Sequence, residues 1–589
     1  MSAPRSGKRQ HRFAELSWLL LLVFVVLTLV FGTIGWIGRA NLFGVRDGWP
    51  SVENTLFLVL RAFIIDGVYI DESKTGNSPW LVAARWTGAA AFAWGLVTAL
   101  IALSQERLAR WRARISRGHV LVVGDHPIVE AVIRRAKAAG RATIHASDRA
   151  DTASFAPGYV ILPRSVVEEG RVEGLAAKAG LILIAETDTG ASAETALNTS
   201  HNPAVDNAKV RVHLDDPVAA VGFHHLPGGY DILTFSLAKA AAREVLLRQP
   251  PFVLARRMGA SAIHVLILGY GRLGESILTD ILVNCVASGL ASPWITVVDD
   301  GAETAELSFQ SRYPEADQIG RIRFVRTLDH AALAGLAQSL SADAAPPVCA
   351  AYVCIDNSAD AFSASIALRE RAQRDALFEA PIFVYLSSGG GLPRSTQGAM
   401  GNEVMPLLGF GDLDCVVAVS DALKQDSDIH AKAVNRAYGD VYGKVYGRVD
   451  PPAPWRTLPE PMRASNRLVV THIPAKLASL GFDLGPLMAQ PLESRLDLPA
   501  LHPDHPLFRN DDDRHEAARL EHRRWMADRH LSGWRLGPRD NRRKFHPDLI
   551  AFDELPKNVQ AFDYGVNEWL DSILPRRPDG LKRVEDGDA

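Results

Sequence analysis

The stretch Val265-Leu-Ile-Leu-Gly-Tyr-Gly-Arg-Leu-Gly-Glu-Ser-Ile277 decides how this chain folds. Its apolar run ends at Gly269, two more glycines follow at Gly271 and Gly274, and a helical pattern continues beyond them. The first glycine allows a tight turn, the second lets a phosphate approach the backbone, and the third lets the helix pack closely on the strand. The N–H groups at the start of that helix then face an anion. This order predicts an α/β unit built to bind a nucleotide.

A second apolar run, Trp294-Ile-Thr-Val-Val298, follows the helical pattern and ends in Asp299 and Asp300. An acidic residue at the end of the second strand of such a unit binds the ribose hydroxyls. The alternative is a scaffold of the same fold that has no ligand. The predicted nucleotide-site residues of this unit are Gly269, Gly271, Gly274, Asp299 and Asp300.

The length, net charge and cysteine content of the chain limit the classes of function that it can have. The chain has 589 residues, too many for one core, so about three to four units are expected. A net charge of −3 at pH 7 argues against a general nucleic-acid binder, and no nucleic-acid partner is expected. The four cysteines, Cys285, Cys349, Cys354 and Cys415, show no C-x-x-C spacing. We therefore expect no metal site and reduced thiols in a cytosolic compartment.

Two apolar segments near the N-terminus predict a membrane hairpin. The first, residues 16–37, carries no charge and follows a basic start, and the second, residues 80–103, is interrupted only by Arg85. Both are long enough to cross a bilayer. Arginines also follow the second segment, so basic residues flank both outer ends. The positive-inside rule then places both termini in the cytoplasm, as in a multi-pass inner-membrane protein.

The loop between the two segments predicts a pore. Residues 54–65 have the pattern of a short amphipathic helix, and Asp66-Gly-Val-Tyr69 follows it. Helix, short re-entrant helix, loop and helix is the layout of a two-span cation-channel pore, with Asp66, Gly67 and Tyr69 as pore candidates. A ring of Asp66 carboxylates favours cations, although the TVGYG filter of potassium channels is absent. The alternative is an ordinary extracytoplasmic loop, with a hairpin that only anchors and oligomerises the protein.

Another glycine turn occurs earlier in the chain, where Gly118-His-Val-Leu-Val-Val-Gly-Asp-His-Pro-Ile-Val-Glu130 repeats the same layout. A strand ends at Gly124, but His126 and Val129 stand at the next two glycine positions, where side chains crowd a pyrophosphate. The following strand ends near Asp148, so Gly124 and Asp148 are the site candidates of a degenerate unit. In both units strands alternate with helical segments, which predicts parallel sheets and an internal duplication.

The hairpin, the basic linker and the tandem α/β units together resemble ligand-gated potassium channels with cytoplasmic RCK domains (TrkA-N type, Rossmann fold). The motifs that carry this resemblance are VLVVGDHPIVEAVI, LILIAETDTGASAETAL and VLILGYGRLGESIL, and it covers roughly residues 14–390. The resemblance implies a tetrameric gating ring. It also implies that NAD, or another adenine nucleotide or ADP-ribose-type ligand, occupies the glycine turn and the strand-end acid.

The C-terminal third contains a helical pattern over residues 517–529, which overlaps the start of the motif EHRRWMADRHLSGWRLG, and then the motif FHPDLIAFDELP. These motifs resemble the ryanodine-receptor repeat (RyR domain) over roughly residues 510–572. Tryptophans there can stack on a base and arginines can bind phosphates. The alternative is that these residues form the core of a small domain. The candidate ligand residues are Trp525, Trp534, Arg524, Arg535, His522, His546 and Glu554.

The expected architecture is a membrane α-helical hairpin, two tandem doubly wound Rossmann-type α/β domains and a mainly α-helical C-terminal RyR domain. The expected boundaries are 1–13 for a basic cytoplasmic N-terminus, 14–106 for the hairpin, 107–117 for a basic linker, 118–255 and 256–392 for the α/β domains, 393–505 for a connecting region with an RyR-like half, 506–575 for the RyR domain and 576–589 for a tail.

The expected function is a nucleotide-gated cation channel of the potassium type, assembled as a homotetramer. One alternative is a non-conducting membrane scaffold or a defence-type effector that perturbs the bilayer. Another is a membrane-anchored NAD-dependent oxidoreductase. The sequence offers no nucleophile–base–acid set, so no enzyme activity is expected.

Overall fold

The computed structural model describes residues 5–38, 52–64, 78–150, 154–156, 158–165, 174–229, 231–326, 345–386, 405–420, 422–423, 428–446 and 455–584. These residues divide into two compact units. The first unit contains the chain up to Val123 together with Ala136–Gly180, and the second contains Gly124–Arg135 together with the chain from Leu181 onward.

The secondary structure of the described residues follows in chain order. The α-helices are α1 (Arg5–Ile37), α2 (Val52–Leu60), α3 (Pro79–Ile115), α4 (Ile128–Ala138), α5 (Leu175–Lys178), α6 (Thr189–Ser200), α7 (Pro217–His224), α8 (Leu237–Arg248), α9 (Pro251–Arg257), α10 (Arg272–Asn284), α11 (Ala302–Arg312), α12 (Ser358–Arg374), α13 (Leu413–Val419), α14 (Ile429–Tyr446), α15 (Glu460–Thr471), α16 (Ile473–Ser479), α17 (Gly485–Met488), α18 (Asp511–Leu531) and α19 (Lys557–Ile573). The strands are β1 (Val120–Val123), β2 (Thr143–Ser147), β3 (Ser154–Ala156), β4 (Tyr159–Pro163), β5 (Leu181–Ile184), β6 (Val210–His213), β7 (Leu233–Phe235), β8 (Ala262–Leu268), β9 (Ala291–Asp299), β10 (Arg321–Arg326), β11 (Ala350–Val353), β12 (Ile382–Tyr385), β13 (Leu407–Phe410), β14 (Arg535–Leu536) and β15 (Phe545–His546).

In the first unit, α1 and α3 pack along each other, α2 packs against α1, and the 3-10 turn Arg61–Ile64 packs against both long helices. Glycines permit this approach. A Cβ on Gly88 would lie 2.5 Å from the carbonyl oxygen of Ala62, and a Cβ on Gly32 would lie 2.9 Å from Val59 Cγ1. Small residues therefore let the short α2 segment pack into the helical hairpin.

Among the described residues, one helical segment, Leu19–Ile37, is long and apolar enough to cross a membrane. The second predicted span, residues 80–103, lies within α3 and stays a prediction. The pore candidates Asp66, Gly67 and Tyr69 lie outside the described residues.

The expected basic linker, residues 107–117, is not a separate segment, because α3 continues without a break to Ile115. Residues 104–115 contain no glycine or proline, and their four arginines and two alanines favour helix. The sequence changes from apolar to basic at this point, but it contains no residue there that would end the helix.

The strands predicted for the α/β domain that contains the earlier glycine turn are divided between the two compact units. In the first unit, β1, β2 and β4 are parallel in the order β4-β2-β1, and β3 lies antiparallel beside β4. In the second unit, β5, β6 and β7 form a parallel group. The short strands β3 and β7 were not predicted, because three residues cannot show a periodic pattern.

Six parallel strands in the order β10-β9-β8-β11-β12-β13 form the sheet of the second α/β domain, which is a Rossmann-like arrangement. β8 is buried along its whole length. Val265 and Ile267 pack into one core, and Leu266 and Leu268 pack into another on the opposite face. The strand order reverses between β8 and β11, and ligands of such sheets bind outside the carboxyl ends of the strands at that point.

β13 lies in the region that was expected to connect the domains. It pairs in parallel with β12, with Leu407 opposite Ile382 and Phe410 opposite Tyr385. The predicted boundary at residue 392 is therefore too early, since the second α/β domain extends at least to Phe410. The prediction missed this strand because its short apolar run contains Gly409, and glycine usually marks a loop.

The longest helix of the C-terminal region is α18, which begins earlier than the predicted residue 517. Asn510 caps it by accepting the N–H of Asp513 at 2.9 Å. Asp511, Asp512 and Asp513 place negative charge in its first turn, where the helix dipole favours it. α18 packs on α19 and on α10 of the second α/β domain.

Candidate functional site

The three glycines of the turn between β8 and α10 have different surroundings. Gly269 has φ +96°, a conformation that side chains disfavour. A Cβ on Gly274 would lie 2.3 Å from the carbonyl oxygen of Gly269, so only glycine allows this close packing. At Gly271 a Cβ would have no heavy atom within 4 Å. Gly271 therefore faces open space at the N-terminus of α10, where a phosphate can approach the backbone.

The acidic end of β9 meets this turn. Asp299 Oδ2 accepts the backbone N–H of Tyr270 at 2.7 Å, and Oδ1 accepts the N–H of Gly301 at 2.8 Å. A carboxylate has about four acceptor positions, so both oxygens can still accept ribose hydroxyls. Asp300 is exposed beside it. The structure thus brings Asp299 and the three predicted glycines together, with Asp300 at the edge.

Two charged groups at the turn were missed by the sequence analysis. Arg272, the first residue of α10, is half exposed and forms an ion pair with Asp216 at 3.5 Å. Glu275, one turn further along α10, is buried and bonded to Arg312 and to the hydroxyl of Tyr313. The position of Arg272 inside the glycine motif was the one available signal, since Asp216 and Arg312 are distant in sequence.

The earlier turn has a different environment. Gly124 has φ +102°, and a Cβ there would lie 2.6 Å from Oε2 of the buried Glu186. The rings of His126 and His213 lie 4.4 Å apart. Burial lowers the pKa of His126 to about 4, with a further contribution from His213, so this ring is neutral at pH 7. The Glu186 side chain and a neutral His126 ring therefore lie at this turn.

The other candidate of the earlier unit, Asp148, belongs to the first compact unit, whereas Gly124 belongs to the second. Asp148 forms an ion pair with Arg164 at 3.2 Å. Its carboxylate thus has a partner within its own unit.

The C-terminal region contains a cavity of about 560 Å³. Three predicted ligand candidates meet there: the ring centroid of His546 lies 5.0 Å from that of Trp525 and 5.9 Å from that of Trp534. The Arg529 guanidinium lies 5.7 Å from the Trp525 ring and 5.8 Å from the Trp534 ring. The Arg539 guanidinium lies 5.9 Å from the Trp534 ring. The remaining lining residues are Asn435, Tyr438, Leu458, Met462, Ser465, Asn466, Asn541 and Phe562.

His522 lies behind this cavity. It is buried, its ring stacks on Trp525 at 5.4 Å, and Nε2 lies 2.9 Å from the carbonyl oxygen of Ile550. Nδ1 lies 3.3 Å from a carboxylate oxygen of Asp563. Burial lowers the pKa of His522, but the hydrogen bond and charge of Asp563 outweigh it, so the pKa is raised. By contrast, burial and then Arg539 lower the pKa of His546 to about 4.

Arg524 does not line the cavity, although the sequence suggested it as a phosphate ligand. Its side chain is fully buried and donates to Glu521 Oε1 at 2.8 Å, and Lys476 lies 2.7 Å from Glu521 Oε2. These charges hold α16 and α18 together, and the cavity has Arg529 instead. Arg529 follows Trp525 by four residues and so shares its helix face, which was a usable signal.

Two more candidates lie elsewhere. Arg535 forms an ion pair with Glu315 of the second α/β domain, and Glu554 is exposed on the 3-10 turn Phe552–Glu554. Neither lines the cavity. Among the described residues, no group of three or more His, Cys, Asp or Glu side chains could hold a metal ion.

No family model matches this chain, and no curated protein matches it. Solved structures of the GsuK channel, of this channel bound to NAD and of GsuK bound to ADP are similar to it at 12%, 12% and 13% identity. Their TM-scores are 0.35, 0.34 and 0.33; the matches cover 70%, 70% and 69% of this chain and 84%, 84% and 97% of the GsuK chains. A dipicolinate synthase chain from Bacillus halodurans is similar at 12% identity and a TM-score of 0.20, over 51% of this chain and 95% of its own. At these identities and TM-scores, the likeness alone carries no conclusion about the fold or activity of this chain.

Proposed function

We propose that this protein is a nucleotide-sensing membrane protein, a ligand-gated cation channel of the potassium type. In this proposal its cytoplasmic α/β and RyR-like regions bind a nucleotide, and the helical hairpin of four copies forms the pore. The observation that carries the proposal is the second glycine turn, where Gly271 faces open space and Asp299 lies at the adjoining strand end.

The turn fits an adenine nucleotide such as ADP or NAD. The diphosphate binds at the N-terminus of α10, where backbone N–H groups without helical partners face it. The ribose hydroxyls donate to Asp299. Arg272 lies at the same helix end and adds positive charge. The earlier turn stays empty in this proposal, because the side chains of His126 and Val129 replace the second and third glycines and crowd a pyrophosphate.

The C-terminal cavity is a second region for the same class of ligand. Its volume of about 560 Å³ lies within the range of small-molecule sites. Trp525 and Trp534 stack on a base, and Arg529 and Arg539 bind phosphates. The neutral His546 ring between the tryptophans completes the aromatic wall.

The membrane part of the proposal rests on the hairpin of α1 and α3. Exposed apolar side chains suit lipid on both helices, among them Leu22 at 59% and Val26 at 47% exposure on α1 and Trp86 at 68% and Phe92 at 52% on α3. The unbroken α3 carries a movement from the cytoplasmic side into the bilayer. A ligand shifts the gate only by its differential affinity for the two states, and about 1.4 kcal/mol at each of four sites gives roughly 5.5 kcal/mol.

The test uses the full-length protein reconstituted in liposomes. Calorimetry measures ADP and NAD binding, and a potassium flux assay measures conduction with and without them. We expect nucleotide-dependent flux, and we expect Gly271→Val to remove the binding event at the glycine turn and the nucleotide response. Gly222→Val is the matched control, because a Cβ at this exposed helical glycine also has no heavy atom within 4 Å.

Each negative result of this test contradicts a different part of the proposal. Absence of binding, or binding unchanged by Gly271→Val, contradicts nucleotide sensing at the turn. Binding without ion flux contradicts the channel, and leakage of a trapped dye then supports a membrane-perturbing effector. Oxidation or reduction of a bound nicotinamide, followed by absorbance with candidate substrates, would instead support an oxidoreductase.

A further inference from the structure

The chain segment after α10, residues 284–290, is held by the C-terminal region. His472 Nε2 donates to the carbonyl oxygen of Val286 at 2.6 Å, and the N–H of Ser288 donates to Ser479 Oγ at 2.9 Å. Burial lowers the pKa of His472 to about 3, so the ring is neutral and its single N–H lies on Nε2. Two hydrogen bonds from α15–α16 thus fix this segment.

Arg256 adds a bridge between the same parts. One guanidinium nitrogen donates to the carbonyl oxygen of Ser288 at 2.7 Å, and another donates to that of Ala478 at 2.6 Å. Thr471 Oγ1 also donates to Asn284 Oδ1 at 2.9 Å. A shift of the C-terminal end of α10 would therefore strain its hydrogen bonds with α15 and α16.

Arg523 of α18 holds the segment from the other side. Its guanidinium donates to the carbonyl oxygen of Ala287 at 3.4 Å and to that of Leu290 at 3.3 Å. Two residues along the same helix, Trp525 lines the cavity, and Arg529 follows one turn later. α18 thus contacts the segment with one face and forms a cavity wall with another.

We propose that the glycine turn and the C-terminal cavity are allosterically coupled through α10, residues 284–290 and Arg523. α10 begins at the glycine turn and ends at this segment, and its apolar face is buried from Leu273 to Val283, so it moves as a rigid body. A diphosphate at its N-terminus displaces the whole helix, and Arg523 passes the displacement to α18. The coupling rests on the proposed nucleotide site, and it is reciprocal, typically about 5- to 150-fold in affinity.

Hydrogen–deuterium exchange of the full-length protein tests this inference, with ADP as the probe. In an Arg529→Gln background, which weakens direct ADP binding in the cavity, we expect ADP to slow exchange at residues 269–275 and to change it at residues 520–546. Arg523→Gln should keep the first effect, keep the ADP Kd within about twofold, and lose the second effect. Arg523→Lys, which retains the charge, should recover part of it. Arg514→Gln is the matched control, since Arg514 is an exposed arginine on the same helix that bonds with Asp511.

The outcomes separate the inference from the function on which it rests. Slower exchange at residues 269–275 with no change at residues 520–546 overturns the coupling and leaves the nucleotide site intact. An unchanged distant response in Arg523→Gln overturns the assigned route. No response at either place contradicts the nucleotide site itself, and with it the coupling. A circular dichroism melt of each variant excludes simple unfolding.

Discussion

Asp299 accepts the backbone N–H of Tyr270 at 2.7 Å, so the acidic end of β9 is bonded directly to the glycine turn that follows β8. The same carboxylate serves the fold and faces the proposed ribose position. We expect Asp299→Asn to weaken ADP binding by about tenfold, because a hydrogen bond to a charged acceptor contributes about 1.5 kcal/mol or more. Calorimetry on the full-length protein measures this change.

Asp300→Asn is the control for that experiment, because Asp300 is the exposed neighbour of Asp299. It should leave the ADP Kd nearly unchanged. Equal losses in the two variants would show that only the general negative charge of the strand end matters.

The two glycines after the turn should respond differently to an added methyl group. In Gly274→Ala the new Cβ lies 2.3 Å from the carbonyl oxygen of Gly269, so we expect a loss of about 1–3 kcal/mol of stability and a lower Tm. In Gly271→Ala the Cβ meets nothing, so the Tm of the free protein should not change. This variant should instead lose the rise in Tm that ADP causes. An ADP-induced rise that survives in Gly271→Ala would contradict phosphate binding at this position.

The buried charges of Lys476, Glu521 and Arg524 predict a pH-dependent stability. Burial raises the pKa of the Glu521 carboxyl, but Arg524 and Lys476 outweigh it and hold this pKa well below its usual range. The folded pKa is below the unfolded value of about 4.3, so this stabilisation is present above that pH and is lost as the pH falls. Glu521→Gln leaves two buried cations and should cost about 3–5 kcal/mol at pH 7.

Thermal melts between neutral and acidic pH measure this effect. We expect the difference in Tm between wild type and Glu521→Gln to shrink as the solution becomes acidic. Glu516→Gln provides the control, since Glu516 lies on the same helix with a partly exposed side chain and should change stability by no more than about 0.5 kcal/mol. A difference that stays constant with pH would mean that the Glu521 carboxyl has the same pKa in the folded and unfolded protein.

Arg529 lines the C-terminal cavity, whereas Arg535 lies outside it. A photoreactive azido-adenine analogue of ADP should label peptides within residues 525–546. Arg529→Gln should reduce this labelling by about tenfold, because Arg529 lies over both tryptophan rings. Arg535→Gln should leave it unchanged, since Arg535 bonds with Glu315 and does not line the cavity. Equal effects of the two substitutions would indicate binding by diffuse positive charge.

Local pattern was enough to predict the core of the second α/β domain. Strand, glycine turn, helix and strand-end acid all lie within one short stretch, and the backbone conformation of Gly269 and the close contact at Gly274 both require glycine. The parts of the structure that could not be predicted depend on contacts between residues that are distant in sequence. Lys476 and Glu521 are far apart in sequence, so no local rule could show that Glu521 and Arg524 form part of the core rather than a ligand surface.

Boundaries failed for a different reason. Strand β13 is short and contains glycine, and its place at the sheet edge depends on pairing with β12, which a linear pattern does not contain. The end of α3 was misplaced because a change from apolar to basic residues alters the surroundings of a helix without ending it. Arg272 and Arg529 each had a signal in the sequence, but their partners in space were needed to place them at the two sites.

Glu186 makes the two glycine turns different. Its Oε2 lies 2.6 Å from the place of a Cβ on Gly124, whereas the nearest atoms at the corresponding place of Gly269 belong to Cys354 and Ile355. Titration of the glycine turns should therefore saturate at one mole of ADP per mole of chain, because only the later turn is proposed to bind it.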